Sequence, residues 1–199
     1  MKAALKDTSK LYPVCALLLA ALLLTACNND PVATEALASA SGYSDVDGVR
    51  LEVGQPAADF TLTDYRGNAV TLSDYRGKSN VMLLFYRGEW CPFCVSHLED
   101  LQSLLPSLTD YGIQLLALSP DNAEDSQELA QRFEQPYLFL SDSDLQIADR
   151  YGIRRDEELP HPAVVLIDKQ GTVVWYYVGE NYRQRPSSSQ LQQVFKRVF

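Results

Sequence analysis

Histidine is almost missing from this chain of 199 residues, which carries only His97 and His161. A structural zinc site normally takes four protein ligands. Even a site that borrowed Cys91, Cys94 and His97 would be one donor short, so no metal is expected. Basic side chains are in the minority, 17 against 26 acidic ones. That removes the positive stripe through which a protein holds nucleic acid or an anionic lipid surface. Long apolar runs are lacking too: Val14–Leu24 falls short of the ~20 residues that span a bilayer. Cysteine is scarce, with four in all, at positions 15, 27, 91 and 94.

What is present at the start is a targeting pattern. Lys2, Lys6 and Lys10 give a basic beginning, the apolar run follows, and small residues close it, which is the order of a secretory signal peptide. The closing Leu24-Thr25-Ala26-Cys27 resembles the bacterial lipobox. The resemblance implies a leader of residues 1–26, cleavage before Cys27, and acylation of Cys27. Two or more acyl chains hold a protein stably at a membrane that it does not span. The expected place is the bacterial cell envelope, facing the periplasm, and Asn28 after the lipid site leans toward the outer membrane. Without the leader, 173 residues remain with a net charge of −11, enough for one domain. Residues 27–50, rich in Ala, Ser, Asn and Asp, read as a flexible tether with a reach of about 25 Å. Residues 51–199 read as the folded domain.

Cys15 departs with the leader and Cys27 takes lipid, so the mature chain keeps one thiol pair, Cys91-Pro92-Phe93-Cys94. A compartment beyond the inner membrane permits disulfides. Around the pair, strand and helix signals alternate. Strands are expected at 59–62, 69–72, 81–86, 113–118, 137–140, 163–167 and 173–178. Helices are expected at 92–111, 123–133 and 145–151, with a last one running from Ser187 toward Phe199. Val81–Tyr86 is apolar throughout, as a strand buried on both faces should be. The order suggests an α/β domain with a central mixed sheet flanked by helices.

Cys91 thus falls after a central strand and at the first turn of a helix, where Pro92 is well placed. Free N–H groups and the positive end of the helix dipole stabilise a thiolate there, and the thiolate is the reactive form. Cys94 lies one turn further in. The pattern assigns attack to Cys91 and resolution to Cys94. A structural disulfide across two residues would close almost no loop and stabilise little. A zinc site and a chance Cys-x-x-Cys are the other readings.

Gly54-Gln55-Pro56-Ala57-Ala58-Asp59-Phe60-Thr61-Leu62, Val70–Lys78 and Trp90–Cys94 together resemble the redoxins. These are the alkyl hydroperoxide reductase/thiol-specific antioxidant (AhpC/TSA) group and its envelope disulfide reductase relatives. The resemblance runs over about residues 53–177. It implies a thioredoxin-like fold with an N-terminal β extension, and no cofactor beyond the redox-active cysteine pair. In it Pro162 matches the cis-proline that faces the active cysteines. Arg87 either supplies positive charge beside the thiolate or is a solvated loop cation. Trp90 reads as packing beside the site, and His161 either tunes Cys91 or is a plain loop histidine. Tyr86, Glu89, Arg183 and Arg185 read as surface or packing residues. One departure stands out: peroxiredoxins carry Thr or Ser three residues before the attacking cysteine, and this chain has Gly88.

The resulting expectation is a membrane-anchored thiol oxidoreductase of the peroxiredoxin-like branch. It would reduce hydroperoxides through a Cys91/Cys94 cycle and be recharged by an external dithiol. The alternatives are reduction of a protein disulfide and a non-catalytic metal- or partner-binding lipoprotein.

Overall fold

A computed structural model describes residue 32 and residues 34–133 and 137–199. The expected leader, the lipobox and Cys27 lie outside the described residues. Among those described, no helix is long and apolar enough to cross a membrane.

The chain forms α1 (Thr34–Ala38), β1 (Tyr43–Ser44), β2 (Thr61–Asp64), β3 (Ala69–Thr71), β4 (Asn80–Phe85), α2 (Pro92–Leu101), α3 (Leu105–Asp110) and β5 (Ile113–Ser119). It continues with α4 (Ala123–Arg132), β6 (Tyr137–Ser141), α5 (Gln146–Arg150), β7 (Ala163–Ile167), β8 (Val173–Val178) and α6 (Ser188–Val198). The strands make one mixed sheet in the order β1-β8-β7-β4-β5-β6-β2-β3. β4 is central, parallel to β5 and antiparallel to β7. All six of its residues are buried, which explains its unbroken apolar run. Successive side chains of a strand point to opposite faces, so β4 feeds two cores. Met82 and Leu84 join Cys91, Cys94, Leu98 and Phe195 on one face. Val81, Leu83 and Phe85 join Leu145, Ile147 and Tyr151 on the other. The expected mixed α/β sheet is the one observed, and the β2–β3 hairpin lies antiparallel on the β6 edge as an N-terminal extension.

Three local expectations differ from the structure. The helix expected over 92–111 is broken into α2, a 3-10 turn at Gln102–Leu104, and α3. Pro106 stands in the first turn of α3, where its missing N–H is harmless; it would be costly in the middle of a continuous helix. The first domain strand begins at Thr61 instead of Asp59, because Asp59 Oδ1 accepts the N–H groups of Phe60 (3.0 Å) and Ser73 (2.9 Å). The tether expected over 27–50 carries structure in its described part. Val32 and Ala36 enter the core around Cys91, and β1 pairs in parallel with β8. Tyr43 stacks on Tyr177 at 5.8 Å, and the Arg50 N–H donates to the Tyr151 carbonyl. The segment has few bulky residues, yet those few cover the β8 edge, which would otherwise present unpaired backbone groups.

Candidate active site

β4 aims the chain at the site. It ends at Phe85, a short loop follows, and Cys91 is the extended N-cap residue of α2 with Pro92 next to it. The Cys91 carbonyl accepts the N–H of Cys94 (2.9 Å) and of Val95 (3.0 Å), which starts the helix and brings the second cysteine back under the first. Both are free thiols and each is 1% exposed. The Cys91 thiol is pushed down from 9.0 to about 6. Hydrogen bonding from Cys94 is the main cause, with smaller help from Arg185 and Arg87 against the cost of burial. Burial pushes the Cys94 thiol well up.

The loop between strand and helix is held from behind. Asp121 is buried, and its Oδ2 accepts the Glu89 N–H (3.0 Å) and the Ser119 hydroxyl (2.9 Å). Burial raises its carboxyl above the usual value. Gly88 has φ +146°, and a Cβ there would meet Trp90 Nε1 at 2.5 Å and Asp121 Oδ1 at 2.7 Å. That backbone is open to glycine alone.

Arg87 belongs to the site's rim. Its guanidinium lies 5.0 Å over the Trp90 ring and 4.7 Å over the Tyr182 ring, a cation held between two aromatic faces. Trp90 is 55% exposed, the one exposed large apolar side chain among the described residues. Phe93 meets Tyr182 edge-on at 5.5 Å. Pro162 precedes β7 and lines a small cleft with His97, Arg185 and Pro186, and its carbonyl accepts the Gly179 N–H at 3.0 Å.

The His161 ring is buried, with Nδ1 3.5 Å from Glu180 Oε2, and burial lowers its pKa. The groups that depress Cys91 most are Cys94, then Arg185 and Arg87. His97 is buried with Nε2 2.9 Å from the Pro186 carbonyl. A carbonyl only accepts, so that nitrogen carries the proton. Among the described residues no group of three or more His, Cys, Asp or Glu side chains is arranged to hold a metal ion.

Two residues of the site have places that the sequence does not disclose. Asp121 is one. Arg185 is the other: its Nη2 lies 3.2 Å from Cys94 Sγ, and its Nη1 donates to the Tyr182 carbonyl. It was expected to be a surface or packing residue, and no spacing rule links it to a cysteine 91 positions away.

Residues 53–176 match the AhpC/TSA family. The chain belongs to that family. The thiol-disulfide oxidoreductase ResA of Geobacillus kaustophilus is 36% identical over 124 residues, covering 62% of this chain and 67% of that one. ResA of Bacillus thuringiensis is 27% identical over 150 residues, covering 75% and 80%. The peroxidoxin BcpB of Mycobacterium tuberculosis superposes with a TM-score of 0.65 at 21% identity, over 75% of this chain and 97% of that one, which shows a shared fold. The protein is therefore a thiol-dependent oxidoreductase on a thioredoxin-like fold, working through cysteine redox chemistry without a cofactor.

Proposed function

We propose that the protein is a thiol–disulfide oxidoreductase. The Cys91 thiolate attacks one sulfur of a partner's disulfide, that S–S bond breaks, and the partner's other sulfur leaves as a thiolate. Cys94 then attacks Cys91 Sγ, the mixed disulfide breaks, and the partner departs as a dithiol. An external dithiol reverses both steps and restores the pair. The observation that carries this reading over peroxide reduction is Gly88. Its backbone admits no side chain, so the hydroxyl that would steady a bound peroxide has no place in this loop. The ResA relatives support the same choice.

A second reading, reduction of a hydroperoxide, is favoured by one feature: Cys91 is 1% exposed. A small oxidant reaches a buried thiolate more easily than a folded partner does. In that cycle Cys91 becomes a sulfenic acid, the peroxide leaves as an alcohol or water, and Cys94 condenses with loss of water. Stopped-flow mixing of the reduced protein with hydrogen peroxide, and separately with a disulfide-bonded protein, tests the choice. A rate constant at least tenfold higher for the protein disulfide is expected. The reverse order would make the protein a peroxidase.

The place of action proposed from the sequence is the bacterial cell envelope, facing the periplasm. A lipid on Cys27 would hold the domain there, with a preference for the outer membrane.

A further inference from the structure

Arg185 is 4% exposed, and among the described residues none of the ion pairs includes it. An unbalanced guanidinium in the interior is costly, so what it faces matters. Its hydrogen bonds go to the Tyr182 carbonyl and Cys94 Sγ. Only the second can become an anion. The Arg87 backbone N–H donates to the same sulfur at 3.4 Å. Two donors thus converge on the thiol that burial makes the less acidic of the pair. In the resting reduced protein the negative charge belongs on Cys91, to which Arg185 lends only minor help, and the sulfur that the two donors touch carries none. It acquires one in the second half of the cycle, when Cys91 is tied up in a mixed disulfide and Cys94 must ionise to attack.

The segment carrying Arg185 is fixed in place for this. The Pro186 carbonyl holds His97 of α2 at 2.9 Å. Ser188 donates from its N–H (2.6 Å) and its hydroxyl (2.9 Å) to Asp100 of α2. A capping box of Ser187 and Gln190 then starts α6. The cation and the cysteine therefore ride on elements bolted to each other. The other titratable groups near Cys94 are Cys91, the buried Tyr86 and the neutral His97. None of them brings a positive charge; the Arg87 guanidinium, held over Trp90 and Tyr182, acts on Cys91.

Resting on the reading that Cys91 attacks and Cys94 resolves, we propose that Arg185 is the counter-charge of the Cys94 thiolate in the resolving step. Cys94 gives its proton to solvent, and its sulfur attacks Cys91 Sγ. The new Sγ–Sγ bond forms as the bond from Cys91 to the partner breaks, and the electron pair leaves on the partner's sulfur, which takes up a proton. The cysteine pair is oxidised by two electrons and the partner reduced by two. No further reactant is needed.

The test follows both steps by rapid quench and mass spectrometry after mixing the reduced full chain with glutathione disulfide. In Arg185→Gln the mixed disulfide should accumulate, with resolution slowed at least tenfold and the initial attack slowed less. Raising the pH should close the gap, because ionisation is what the arginine supplies; a merely structural loosening would leave the deficit the same at every pH. Arg185→Lys should recover part of the rate. If Arg185→Gln loses its native circular dichroism, Arg185→Lys carries the test, with a severalfold slowing that high pH repairs. Resolution within twofold of wild type in a folded variant, or a deficit independent of pH, overturns the proposal. Cys94→Ser separates the two readings. A trapped glutathione adduct on Cys91 upholds the assigned roles whatever Arg185 does, and no adduct would sink both.

Discussion

Asp121 leaves room at Gly88 for a hydrogen and nothing larger. Its Oδ1 would lie 2.7 Å from a Cβ there, while its Oδ2 takes the N–H of the next residue, Glu89, at 3.0 Å. The carboxylate therefore fixes both the path of the loop and the identity of its third residue. Restoring the peroxiredoxin-like hydroxyl by Gly88→Thr should not create a peroxidase. A non-glycine residue at φ +146° costs roughly 1–3 kcal/mol from the backbone alone, and the collision adds to it. Urea unfolding should show that loss, and the rate with hydrogen peroxide should not rise. A variant as stable as wild type and faster with peroxide would refute the account of this loop.

His97 should make the fold sensitive to mild acid. Burial first, and then the Arg185 charge, push its pKa from 6.5 down to about 4. Between those values the unfolded chain binds a proton that the folded one refuses. The contribution of this group is complete above pH 6.5 and is lost as the pH falls toward 4, by at most about 1.4 kcal/mol per pH unit. His97→Gln should flatten that slope while costing about 1–3 kcal/mol at pH 7, where the bond to the Pro186 carbonyl is weakened. Urea midpoints at pH 4.5 and 7 measure both. An unchanged slope in the variant would clear His97.

Much of this was legible in the chain. β4 announces itself because a strand buried on both faces has no polar positions, and Pro92 after Cys91 marks a helix start. Local rules therefore sufficed to put Cys91 at a strand-to-helix junction. They failed where a distant partner decides. Tyr43 is ordered by Tyr177, which pairs with it through β8, and nothing near residue 43 says so. Arg185 looks like a surface cation among Tyr182, Arg183 and Gln184 until the chain closes it against Cys94. Asp121 follows a strand in the manner of an ordinary turn residue, yet its carboxylate faces inward. The Pro106 break was visible in the sequence, but the apolar rhythm of the flanking leucines runs across it.

The proposed anchor makes a separate claim on the first residues. If Cys27 carries the lipid, Cys27→Ser should abolish incorporation of labelled palmitate and leave an uncut precursor. Label entering the variant as before would show that the lipid, if any, sits elsewhere.

The last prediction concerns which thiol is the acid. Cys91 is held at about 6, chiefly by the hydrogen bond from Cys94 and only then by Arg185 and Arg87. Alkylation of the reduced protein by iodoacetamide should therefore show a first midpoint near pH 6 at Cys91, and Cys94→Ala should move it back toward 9.0. The same shift has a consequence for stability. A thiol whose folded pKa is depressed binds fewer protons in the folded state than in the unfolded one between pH 6 and pH 9. The reduced protein should gain stability as the pH rises from 6 toward 8, and lose that gain as it falls back through 6. Cys94 works the other way at higher pH, because its raised pKa makes the unfolded chain ionise first. The oxidised protein has neither thiol and should lack the rise altogether. Subtracting the oxidised from the reduced unfolding curves isolates the pair from every carboxylate and histidine. A difference that is flat from pH 6 to 8, or a lower alkylation midpoint at Cys94, would mean that the helix start and the bond from Cys94 do not select Cys91. The assigned roles would then have to be exchanged.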